Sequence, residues 1–133
     1  MNGSAVRAYS LAKDGGRALT PHFRVREFAC SDGTDTVFVS DELVQVLEKI
    51  RTRLGKAVYI NSGYRTEAKN RAVGGAAYSR HKYGLAADIS VSGVSPGVVA
   101  AAAEEALAGG GGIGVYGGFV HVDVRPGRSR WVG

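Results

Sequence analysis

Residues 119–125 read Phe-Val-His-Val-Asp-Val-Arg, a strict two-residue alternation. In a β-strand successive side chains point to opposite faces. Val120, Val122 and Val124 therefore share one face, which suits a core, while Phe119, His121, Asp123 and Arg125 share the other. A face that only meets solvent more often carries Thr, Ser, Lys or Glu. An imidazole, a carboxylate and a guanidinium in register describe the wall of a reactive cleft.

The remaining pattern supplies partners for such a strand. Ser40 is placed to cap a helix in which Leu43, Leu47, Ile50 and Leu54 form one apolar face, with Asp41 and Glu42 suited to its start and Gly55 to its end. Ala57–Asn61 is a short strand, and Ser62–Arg65 a tight turn after it. Thr66 caps a short helix through about Val73. Leu85–Val91 is a strand whose pleat puts Asp88 opposite Leu85, Ala87, Ile89 and Val91. Ser95-Pro96 opens an Ala-rich helix to Ala108, and Gly109–Gly112 is read as a flexible connection. Strands at about Ile113–Tyr116 and Phe119–Arg125 then pair around Gly117-Gly118, and Val37–Val39 makes a brief strand. Residues 1–22 are read as a polar arm ahead of one domain, 23–133. The sum is an α+β fold, with helices packed on a small, mostly antiparallel sheet.

Composition narrows the classes of function. The chain has 133 residues and a net charge of +5, but its basic residues are scattered, without a tract or interleaved aromatics, which argues against nucleic acid. No apolar run approaches the roughly 18 residues of a membrane span, and residues 1–10 lack the apolar core of a signal peptide. Cytoplasmic synthesis, with release by lysis or another export route, is the expectation. The single cysteine, Cys30, excludes an internal disulfide and a Cys-rich zinc site, and reads as a small buried hydrophobe. A monomer is expected.

His81, Asp88 and His121 offer two imidazoles and a carboxylate, a common catalytic zinc set that leaves a fourth position open. Spacing alone does not establish it. His81 and Asp88 are seven apart, so a continuous strand would turn them to opposite faces, and Gly84 must break the regularity. Structural histidines satisfied by hydrogen bonds remain the alternative.

The motifs Ser62-Gly63-Tyr64-Arg65-Thr66, Asn70, Val73-Gly74-Gly75-Ala76 and Ser79-x-His81-x-x-Gly84-x-Ala86-Ala87-Asp88-Ile89 resemble those of the M15 zinc peptidases. Gly114-Val115-Tyr116, Phe119–Arg125 and Arg130-Trp131 continue the likeness, which spans residues 23–131. The resemblance implies the hedgehog/D,D-peptidase fold, a zinc ion on His81, Asp88 and His121, and Arg65 binding or polarising a substrate carbonyl or carboxylate. It implies that Ser79 braces His81 or the substrate. Tyr64, Tyr78, Tyr83 and Tyr116 lie near the motif, and Tyr116 is taken as a substrate contact.

One departure stands out. Many members carry an acidic general base three residues before the last His ligand, and here that position is Gly118. The other acids fall in the helices or the N-terminal part, leaving Asp123 on the strand face of His121. Asp123 can activate the zinc water or orient His121. A salt bridge to Arg125, or a swap with Asp123 on zinc and His121 as base, stays open. His22 lies far from the motif and reads as surface or packing.

The expected activity is zinc-dependent hydrolysis of peptidoglycan stem peptides or cross-links, of carboxypeptidase or endopeptidase type. A phage or prophage lysin, or a host cell-wall enzyme, fits that activity. The alternatives are a non-catalytic zinc-containing module that grips cell-wall peptides and a phage structural component.

Overall fold

A computed structural model of the chain describes residues 5–133. From the N-terminus, β1 (Val6–Ser10) leads into a helical turn, α1 (Leu11–Asp14), then β2 (Ala18–Thr20), β3 (Phe23–Arg24) and a 3-10 turn at Val25–Phe28. β4 (Thr36–Ser40) pairs antiparallel with β1, and β2 with β3. The polar arm expected over residues 1–22 is thus, over 6–20, built into the body, with Tyr9, Leu11 and Leu19 packed on the core. Its first four residues lie outside those described.

The long helix α2 (Asp41–Leu54) starts as its sequence requires: the Ser40 hydroxyl accepts from the Leu43 amide at 3.2 Å. It ends at Gly55, whose φ of 66° is the left-handed conformation that glycine adopts without strain. Next come β5 (Val58–Ser62), the short helix α3 (Glu67–Ala72), a 3-10 turn at Arg80–Tyr83, β6 (Ala86–Val91) and α4 (Pro96–Ala106). The chain closes with β7 (Gly111–Val115), β8 (Val120–Asp123) and β9 (Arg128–Val132).

Five of these strands form one sheet in the order β5-β6-β8-β7-β9, antiparallel except for β7 beside β9. The expected α+β class holds. One face is the core: Ala87, Ile89, Ile113, Val120 and Val122 are buried against Leu43, Leu47 and Ile50 of α2 and Val99 and Ala103 of α4. The opposite face carries the polar set.

Two readings of the C-terminal third change. α4 stops at Ala106, and Gly111-Gly112, expected in a flexible connection, are buried residues of β7. Glycine is needed there for space: a Cβ on Gly112 would run into the Asp123 carboxylate. β9 was not foreseen. Its sequence Arg-Ser-Arg-Trp-Val lacks an apolar alternation because Arg130, in register with Ile113, meets a carboxylate instead of the core. Glu104 of α4 accepts from Arg130 Nε at 2.6 Å and from Nη2 at 2.7 Å.

Candidate metal centre

The sheet register assembles the site. Ser62 pairs with Asp88, Asp88 with His121, His121 with Gly114 and Gly114 with Trp131, one lateral row across all five strands. Residues directly opposite on neighbouring strands present their side chains to the same face. Gly114 leaves the room that the Trp131 indole occupies, since a Cβ there would collide with it.

His81 reaches this row from outside the sheet, on the 3-10 turn before β6. The Ser79 hydroxyl accepts from the His81 amide at 3.3 Å, and Gly84 reverses the chain with a φ of 72°. A Cβ on Gly84 would lie 2.6 Å from the Phe38 carbonyl oxygen, so both conformation and space demand glycine. This is the break in regularity that the odd spacing required.

The donor atoms converge. One ligand atom each from His81, Asp88 and His121 lies within 4.8 Å of the other two. His81 Nε2 and His121 Nδ1 stand 3.1 and 3.0 Å from Asp88 Oδ1. The remaining ring nitrogens are tethered: His81 Nδ1 donates to the Gly63 carbonyl at 2.8 Å, and His121 Nε2 to Asp123 Oδ2 at 2.8 Å. A carbonyl only accepts, so the His81 proton sits on Nδ1 and the Nε2 lone pair is directed at Asp88. Two imidazole lone pairs and a carboxylate, with the outer nitrogens fixed by a carbonyl and a carboxylate, make a donor set that fits a divalent metal such as zinc.

Electrostatics keep Asp88 ionised, the state a metal needs, and favour a proton on His121 that a metal at Nδ1 would displace. Burial pushes the Asp88 pKa up, but the close contacts with the His121 and His81 imidazoles together outweigh it and hold the carboxyl well below the usual range. Burial also opposes the charged form of His121, while its bonds to Asp123 and Asp88 raise its pKa on balance.

Asp123 is fully buried, beneath His121 and away from the cleft. Arg125 grips it with both arms of its fork, Nε to Oδ1 at 2.8 Å and Nη2 to Oδ2 at 2.7 Å, while its guanidinium lies 5.3 Å from the centre of the Trp131 ring. Burial raises the Asp123 pKa, and the bonds from Arg125 and His121 bring it far below normal.

Above the row lies a cleft of about 570 Å³, lined by Arg65, His81, Asp88 and His121 and by residues 74–80 and the aromatic wall of Tyr116, Phe119 and Trp131. Arg65 donates from Nε to Ser62 Oγ (3.1 Å), from Nη1 to Asn70 Oδ1 (3.4 Å) and from Nη2 to Asp88 Oδ2 (3.3 Å). Of its five N–H donors, two remain for a ligand. Ser79 and Tyr116 both line the cleft; Tyr116 stacks on Phe119 at 4.5 Å and accepts from Trp131 Nε1 at 2.8 Å. His22, read as surface or packing, pairs with Glu48 at 2.6 Å far along the chain from the site.

Asn70 and Trp131 belong to the matched motifs but have no role on sequence alone. Asn70 is 2% exposed, and its Nδ2 donates to the Ala76 carbonyl at 2.8 Å, so one amide joins Arg65 to the loop that walls the cleft. Trp131 lies 5.1 Å from the His121 ring. An Asn on the inner side of a short helix is a visible signal for the first; nothing in the pattern of β9 announces the second.

The sheet thus has a buried face and, on the other, a cleft with a His-Asp-His group at its floor that could hold a metal ion. A family model described as Peptidase M15 matches residues 21–123, and the chain belongs to that peptidase family. No curated protein matches the chain. The mixed α+β architecture agrees with the M15 fold, a peptide is the substrate class that membership carries, and no helix among the described residues is long and apolar enough to cross a membrane.

Proposed function

We propose that the chain is a zinc peptidase that hydrolyses bonds in the stem peptides or cross-links of peptidoglycan, and so acts at the bacterial cell wall. The convergence of His81, Asp88 and His121 within 4.8 Å at the floor of a peptide-sized cleft carries this reading. His81 Nε2, His121 Nδ1 and Asp88 would hold the ion. When bound, zinc supplies a Lewis acid for a carbonyl and acidifies water.

The chain's own groups do the rest. Arg65 offers its two free N–H donors to the substrate carbonyl or carboxylate, and its contact with Asp88 Oδ2 keeps that carboxylate oriented. Asp123 is a positioning residue: it holds the His121 proton at Nε2 and so keeps Nδ1 free for metal, while Arg125 keeps Asp123 ionised. A role as general base fits poorly, because a fully buried carboxylate held by Arg125 and His121 has no path to a water in the cleft. Ser79 holds the turn that presents His81. Tyr116, whose oxygen already accepts from Trp131, has its own O–H to give to a substrate.

One observation favours a second reading, a module that binds cell-wall peptides without cutting them. Asp88 is the only carboxylate lining the cleft among the described residues, and two histidines and Arg65 already occupy it. Digestion of purified peptidoglycan by zinc-loaded protein, followed by mass spectrometry of the muropeptides, decides between the two. Loss of a terminal residue identifies a carboxypeptidase and separation of joined stems an endopeptidase. No new product at full zinc occupancy leaves the binding module.

A further inference from the structure

Three arginines line the cleft, and their guanidinium groups are not equally engaged. Arg125 is spent on Asp123 and lies over Trp131. Arg65 gives three donors to Ser62, Asn70 and Asp88. Arg80 is half-buried on the 3-10 turn, and no carboxylate, carbonyl or ring among the described residues takes its guanidinium. Elsewhere Arg7 has Asp41, Arg53 has Glu105 and Arg130 has Glu104, while Arg51 of α2 is, like Arg80, half-buried without a side-chain partner among the described residues. What distinguishes Arg80 is its place in the cleft wall, next to His81.

A cation drawn partly out of water without a partner costs free energy, and the cleft has no acid to offset it, since Asp88 is already taken. The backbone of Arg80 is fixed at the same time: its carbonyl accepts from the Leu85 amide at 3.1 Å, and it precedes the ligand His81 in a capped turn. A guanidinium without a partner, carried on a backbone fixed in the cleft wall next to His81 in the chain, is suited to a planar anion, which it can hold by two parallel hydrogen bonds. We propose that Arg80 is a specificity residue that binds a free carboxylate of the peptide substrate, distinct from the group met by Arg65. The carboxylate belongs to a substrate residue close to the one whose carbonyl reaches the histidines. The inference rests on the peptidase reading above.

A peptide carries such a group at its C-terminus or on a side chain, and the test separates these sources. The probes are a synthetic peptidoglycan stem pentapeptide with all carboxylates free, the same peptide amidated at its side-chain carboxylate, and the same peptide amidated at its C-terminus. Binding is titrated on chelator-treated protein, so that no cleavage intervenes, and KM is measured with zinc-loaded protein. One amidation should weaken wild-type binding by about 10–100-fold, the scale of a charge-assisted hydrogen-bonded pair. Arg80→Gln should bind the acid and that amide alike, Arg80→Lys should keep part of the preference, and Arg51→Gln, on the outer helix, all of it. A wild type indifferent to both amidations, or an Arg80→Gln variant with the full preference, overturns the proposal. If the preference collapses in Arg80→Gln but zinc-loaded wild type cleaves none of the probes or purified peptidoglycan, the peptidase reading falls and the carboxylate site stands.

Discussion

His121 and His81 serve one cluster from opposite kinds of scaffold. His121 sits inside β8 with a ladder on both sides, Asp88 across from it on β6 and Gly114 on β7, so the sheet itself aims the ring. His81 has no ladder; a 3-10 turn aims it, through the Ser79 cap, the Gly84 reversal and the Gly63 carbonyl. Strand placement is redundant, because many backbone bonds must fail together before the ring moves. Turn placement depends on a few local contacts, each of which one substitution removes. The same chemistry is thus held at different local stability on its two sides.

The largest effect tests whether the two histidines act as a pair at all. His81→Ala and His121→Ala should each abolish stoichiometric zinc in a metal analysis of the purified protein, because either loss leaves only two donors. Zinc retained in either variant breaks the ligand set. Chelation of the wild type should remove the ion and leave most of the far-ultraviolet circular dichroism, since the core under α2 and α4 owes nothing to the cluster.

Gly84→Ala should come next, and it should injure the turn side alone. The left-handed φ and the approach to the Phe38 carbonyl oppose any side chain there, at a cost of roughly 1–3 kcal/mol. Thermal unfolding should show that loss, and zinc affinity should fall by more than for any outer contact of His121. A variant with wild-type stability and affinity would mean that the turn tolerates what its geometry forbids.

The two scaffolds also differ in how far they could be read from sequence. The β8 alternation states its faces outright, and Asp88 on β6 likewise, because a period of two leaves no choice once one face is apolar. α2 was legible from its caps and its apolar stripe. The turn was legible only as a necessity, since nothing in Arg-His-Lys-Tyr specifies a 3-10 conformation. Asn70 and Trp131 escaped because their value lies in contacts across the fold, to Arg65 and to His121. β7 was legible from Ile113 on, but its start at Gly111-Gly112 escaped, because glycines that normally interrupt structure here lie within the sheet and Gly112 makes room for Asp123.

Asp123→Asn sharpens the strand side. Sequence alone left this residue as base, brace or ligand; its burial under His121 favours the brace. Zinc affinity should then weaken by about 10–100-fold, with turnover of muropeptides recovering in excess zinc. A fall in turnover of about 10²–10⁴-fold with zinc bound would instead make Asp123 the base. That result would require the buried carboxylate to reach the cleft in the working enzyme.

The smallest effect concerns the outer support of the strand side. β9 brings Trp131 against the His121 ring, and Arg130 on the same strand ties β9 to Glu104 of α4. The hydrogen bonds from Arg130 outweigh the opposing effect of burial and, with that from Arg128, bring the Glu104 pKa from its ordinary 4.5 down to about 2. Because the folded-state value is the lower one, the carboxylate stabilises the fold fully above about pH 4.5, and this contribution is lost as pH falls through about 2. Glu104→Gln should therefore be less stable than wild type at neutral pH by a modest amount, since the pair is partly solvated and screened. The gap should close as acid protonates Glu104 in the wild type. Chemical denaturation from pH 7 to pH 2 measures it: a gap that persists at pH 2 would show that Glu104 acts by packing. A gap absent at pH 7 would show that β9, and with it the wall behind His121, is held by the sheet ladder alone.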